Sequence, residues 1–209
     1  MAPDLSFSVE GAQPVAYAAA PLLALRLRVR NSNRQEQIET VILQVQVQIE
    51  AARRQYSPPE QSRLLDLFGE PARWSQTLRT MLWTHAAVTV APFQAETAVD
   101  LPLPCTFDFN VAATKYFDAL EQAAIPLRLL FSGTVFYRDD EDCLQAGRIA
   151  WSQEAAFALP IDTWKRVIDA HYPNSAWLTL RRDVFNRLHE YKRREGIPTW
   201  EQTVERLLS

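Results

Sequence analysis

Glycine is scarce in this 209-residue chain. Only five occur, and none stands in a GxGxxG or GxxxxGKS/T frame. Phosphate binding through a glycine-rich loop is therefore not expected. Two cysteines, Cys105 and Cys143, lie far apart and in no metal spacing, as reduced cytosolic thiols would. Three histidines, His85, His171 and His189, fall in different predicted elements, without an HxH or HxxxH pair. No zinc site is expected. No apolar run is long enough to span a bilayer, because Arg26 and Arg28 interrupt the only candidate. No basic segment precedes it as in a signal peptide, so a cytoplasmic protein is expected.

What the chain has is alternation. "LSFSV" sets Leu5, Phe7 and Val9 against Ser6 and Ser8. "LLALRLRVR" sets Leu23, Leu25, Leu27 and Val29 against Arg26, Arg28 and Arg30. "TVILQVQVQIE" puts Val41, Leu43, Val45, Val47 and Ile49 on one face and Gln44, Gln46 and Gln48 on the other. Period two with one polar side predicts antiparallel strands with one wet face. "VDLPLPCTFDF" reads as an edge strand from Val99 to Phe109, since Pro102 and Pro104 donate nothing to a ladder. "IPLRLLFSGTVFYR" is apolar on both faces, as in a central strand, and Gly133 inside it marks a bulge or a tight contact. "DDED", Asp139 to Asp142, reads as the solvated tip of a hairpin whose second arm is "CLQAGRIAW".

A helical insertion at 57–80 interrupts the strands. Ser57, Pro58 and Glu60 spell a capping box, Leu64, Leu65 and Phe68 an apolar stripe, and Gly69 a stop. After Pro160 the period turns helical. The predicted fold is mainly β (α+β): an antiparallel β-sandwich over 1–160 with this insertion, and a C-terminal helical segment, 161–209, docked on it. In the last helix Val204, Leu207 and Leu208 should be its buried face.

No residues converge as a catalytic set. Ser132 sits in mid-strand rather than on a nucleophile elbow, so no catalytic residue, metal or cofactor is expected. The richest surface is "RWSQTLRTMLWTH", with Arg73, Trp74, Arg79, Trp83 and His85 within thirteen residues. Trp and Arg are the side chains that anchor protein interfaces. The competing reading is that both indoles fill the gap between insertion and sheet. At the other end, 173–209 has the order strand, helix, Gly turn, helix of a ribbon-helix-helix DNA reader, in which Thr179 and Arg181 would face bases. Residues 160–209 hold nine Lys/Arg against seven Asp/Glu, a net of +2, within a chain of net −3. Phosphate binding draws on many more cations, so nucleic acid is the lesser expectation. A small-molecule site is a third.

The segments "YSPPEQSRLLDLFGEPARW", "VDLPLPCTFDFNVAATKY", "PLRLLFSGTVF", "PNSAWLTLRRD" and "PTWEQTVERLL" resemble a bacterial domain-of-unknown-function family. Genes of that family sit in high-affinity nickel–iron hydrogenase clusters of actinobacteria and their relatives. The resemblance implies no activity and no catalytic residues. It implies a non-catalytic accessory or assembly protein whose partner is a hydrogenase subunit or maturation protein.

Overall fold

In a computed structural model the alternating stretches become, among the described residues, eight strands in two antiparallel sheets, with 39% of residues in strand and 30% in helix. The structure describes residues 3–34, 36–139 and 141–209. Two compact units divide after Asn174.

In the first unit, β1 (Leu5–Pro14), β2 (Leu22–Asn31) and the later β5 (Glu96–Pro104) form a sheet of order β1-β2-β5. The second sheet has β3 (Ile38–Ile49) at its centre, between β4 (Met81–Val90) and the 15-residue β6 (Ala124–Arg138). Both β7 (Leu144–Arg148) and β8 (Glu154–Pro160) pair with β6, one on each half of its length. The inward rows are the predicted ones. Leu23, Leu25, Leu27 and Val29 of one sheet are fully buried, as are Val41, Leu43, Val45, Val47 and Ile49 of the other. Phe7 of β1 stacks on Phe131 of β6, with centroids 4.5 Å apart, and ties the sheets together.

Two local expectations change. The edge strand β5 stops at Pro104 rather than running to Phe109, and Phe109 is half exposed. Asn110 then caps α4 (Val111–Ala119) by accepting from the Ala113 amide at 3.0 Å. The insertion forms two short helices rather than one. They are α1 (Pro58–Arg63) and α2 (Leu65–Phe68), broken where Leu64 leaves helical geometry to become fully buried, while Leu65 turns outward. Burial of a single leucine thus outweighs continuation of a short helix, which is marginal by itself. A third turn of helix, α3 (Trp74–Thr77), follows. The hairpin tip is built by Asp139, whose carboxylate accepts from the Cys143 and Glu141 amides and from Gln145. The predicted tip includes Asp140, which lies outside the described residues.

The insertion is pinned by an ion pair out of water. Glu60 completes the predicted capping box with Ser57, and its buried carboxylate also accepts from the Glu121 amide (3.0 Å) and Arg54 (2.6 Å). Arg54 reaches on to the Gln122 carbonyl, so one charge pair holds the start of α1 to the end of the α4 turn. Burial alone would raise the Glu60 carboxyl, but the Ser57 and Glu121 amides and Arg54 outweigh it and hold it below the ordinary range. Beside it, Phe117 of α4 meets Trp83 and Trp164 edge to face. Trp164 belongs to α5 (Ile161–His171), which packs against β1, β2 and β8 as part of the first unit.

The second unit, residues 175–209, contains α6 (Arg182–Arg194) and α7 (Trp200–Leu208). Gly196, at φ +63°, makes the left-handed stop between them. The expected buried face of α7 is not buried: Val204, Leu207 and Leu208 are 40, 55 and 83% exposed. Amphipathic spacing marks a face that wants cover, and it does not say that the same 35 residues can supply it.

Two outcomes follow. Gly133 has φ +141°, and a Cβ there would collide with the backbone carbonyl of Ile42. Gly133→Ala should cost about 2 kcal/mol or more, from strain and overpacking together. Gly11→Ala, where a Cβ meets open space, should be close to neutral by comparison. Urea midpoints of the two variants measure the difference. The second outcome concerns acid. A carboxyl whose folded pKa is depressed adds stability above its unfolded pKa, near ~4.3, and that stability is lost as pH falls through the folded value. Glu60→Gln should therefore be less stable than the parent at pH 7, with the gap closing as pH falls below about 4. A gap independent of pH would show that the Glu60 charge contributes nothing.

Candidate functional site

Antiparallel sheets keep one face wet, and the two wet faces of this sandwich differ in chemistry. On the three-stranded sheet the outward side chains form a ladder of ion pairs. Arg26 meets Asp100, Arg28 meets Glu10 and Glu96, and Arg30 meets Glu96. On the five-stranded sheet, pairing aligns Ile42 with Thr89 and Thr134, Gln44 with Ala87 and Ser132, Gln46 with His85 and Leu130, and Gln48 with Leu82 and Arg128. Charge enters these rows toward β7 and β8, where Arg148 stands opposite Thr134, Glu154 stands opposite Leu130, and Arg128 pairs with Glu154. The centre is amide, hydroxyl, imidazole and aliphatic.

Over this face stands Trp151, 93% exposed. Its position follows from β6. Leu130 is the last β6 residue paired to β8, opposite Glu154, and Thr134 is the first paired to β7, opposite Arg148. Three residues on β6 therefore face five, 149–153, on the other side. Ladder bonds from the Phe131 amide to the Gln153 carbonyl and from the Ile149 amide to the Gly133 carbonyl close the loop's base. The Gln153 amide bonds the Ala150 carbonyl, so the surplus leaves the sheet as a tight turn with Trp151 in it. A bulge re-aims side chains in this way. Trp151, Gln44, Gln46, His85, Leu130 and Ser132 line a trough of about 660 Å³.

The sequence-predicted surface is taken apart by the fold. Arg73 and Arg79 are exposed, and Arg79 donates to the nearby Gln76 carbonyl. Trp74 is half-buried: it donates to the Gly69 carbonyl and meets Tyr56 and Phe68 edge to face, filling the insertion. Trp83 is buried, at 4% exposure. It is the extra residue of a bulge in β4, between Thr84 opposite Val47 and Leu82 opposite Gln48, and so turns inward onto Phe117. Neither indole is a free anchor, because packing inside the fold takes both. Of the five residues, His85 alone lines the trough. Trp151 was hidden because "CLQAGRIAW" reads as one strand. The available signal was Gly133, beside which the outer edge of β6 passes from β8 to β7.

Other chemistry is placed as follows. Among the described residues, no three His, Cys, Asp or Glu gather where they could hold a metal. The Cys105 thiol is buried, which pushes its pKa up to about 12 and leaves it no nucleophile at neutral pH. Both nitrogens of His171 are used, against the Val167 and Ala18 carbonyls. Arg181 precedes α6 and pairs with Asp183, and Thr179 lies in a stretch that forms neither helix nor paired strand. No helix among the described residues is long and apolar enough to cross a membrane.

No curated protein matches this chain. Among solved structures, a Bordetella pertussis protein assigned as ApaA aligns at 15% identity over 76% of this chain and 95% of its own, with a TM-score of 0.25. A superposition that poor carries no argument about fold or function. The sequence profile of one family matches residues 2–209, essentially end to end. The chain belongs to DUF6084, a family of unknown function.

Proposed function

We propose that this chain is a non-catalytic protein-binding module whose partner seats on the charge-poor centre of the wet face of the five-stranded sheet, with Trp151 as the anchor. The observation that carries this reading is the pairing of a nearly fully exposed tryptophan with a charge-depleted sheet centre. The centre of a protein interface is poor in charge and rich in aromatic side chains. The opposite face, with its Arg–Glu ladder, carries the composition of a surface that stays in water. The glutamines suit recognition, because an amide both donates and accepts and is cheaper to dry than a charge. Following the gene neighbourhood that the sequence resemblance implies, the partner we propose is a subunit or maturation protein of a nickel–iron hydrogenase.

The test is affinity purification of the tagged chain from its host, with Trp151→Ala and His85→Ala beside the parent. Trp151→Ala should melt like the parent, because the indole is exposed, and should weaken capture of the hydrogenase component by about 30-fold, the loss expected of a true anchor. Trp83→Ala is the contrast. It removes a buried ring and should lose about 3 kcal/mol of stability. Undiminished capture by Trp151→Ala would remove this face from consideration.

A further inference from the structure

Residues 176–181, "AWLTLR", alternate as a strand does, yet they pair with no other strand among the described residues. The unit that follows has 35 residues and little core of its own. Ile197 and Thr203 are buried, and no residue of α6 is. Its apolar side chains instead line an open groove of about 790 Å³, formed by Leu178, Leu180, Phe185, Leu188, Trp200 and Val204. Leu178 is 74% exposed and Phe185 45%. A unit below ~40 residues rarely sustains a core alone and is commonly completed by oligomerisation.

We propose that residues 175–209 are half of a symmetric unit, in which 176–181 pairs antiparallel with the same segment of a second copy of this chain. The segment itself identifies the occupant. Residues opposite one another in an antiparallel pair share a face. Centring the two-fold axis on Thr179 sets each Leu178 against the partner copy's Leu180, so both leucines of each copy lie over the grooves. Charge fits the same partner. Glu201 and Glu205 border the groove, and the entering segment ends in Arg181 and Arg182. A two-fold interface requires such self-complementarity of one patch.

The experiment uses the full chain with the exposed Cys143 replaced by serine. Sedimentation at tens of micromolar should give twice the 23.9 kDa mass of one chain, and Leu178→Asp should return it to the single-chain mass. Thr179→Cys in the Cys143→Ser background should form an interchain disulfide under mild oxidation. Antiparallel ladder partners lie ~4.5–5.5 Å apart at Cα, within disulfide reach. A single-chain mass for the parent would overturn the proposal, and would point to cover from within the chain. A dimer that Thr179→Cys fails to cross-link would overturn it too, since another face would then be joining the copies.

Discussion

The close approach of β6 to β3 at Gly133 is the constraint from which the rest of the first unit follows. At that point the Ile42 carbonyl occupies the space a Cβ would need, and the backbone takes φ +141°. Only glycine adopts that geometry without strain. Beside Gly133 the outer edge of β6 passes from β8 to β7 while its pairing with β3 runs on in register, so two strands share one edge of a 15-residue strand. The surplus between them must leave the sheet, and it carries Trp151 out with it. The most exposed indole of the first unit is thus a consequence of strand register. Ladder bonds close the base of the loop that carries it.

The two wet faces then divide the work. Exposed ion pairs such as Arg26 with Asp100 add little stability, but they are costly to strip of water and so keep a face open. The Gln44–Ser132–Gln46–Leu130 rows carry no such cost. Charge is instead taken inside where it has a structural task, at Glu60 and Arg54. There the carboxylate has three donors from separate parts of the chain, enough to offset its burial. That pair fixes the insertion, whose Trp74 meets Phe68 and the neighbouring Tyr56 edge to face.

Strands were legible in the sequence wherever one face is apolar and the other polar, as in Leu23 to Val29 and Val41 to Ile49. Period two survives in composition whatever the strand pairs with. The capping box at Ser57 was legible for a similar reason, since its chemistry lies within four residues. The site was not. Whether Trp83 or Trp151 is the exposed indole depends on a bulge in β4 and a surplus loop beside β6. Both are matters of register between strands, which the composition of neither strand records. Clustering of Arg and Trp in "RWSQTLRTMLWTH" could not reveal that one indole turns inward. The helices of 175–209 were likewise plain from their spacing, while what covers their apolar face is not written in that spacing.

The central claim is that a centre without charge, with Trp151 above it, makes the five-stranded face a docking surface. Ser132→Arg tests it most directly, because Ser132 is exposed at the middle of the trough and its side chain bears on no core contact. The expected result is a protein with unchanged melting temperature that no longer retains its partner, since an unpaired guanidinium would have to be dried at the centre of the interface. Full retention of the partner by Ser132→Arg, at unchanged stability, would contradict the claim.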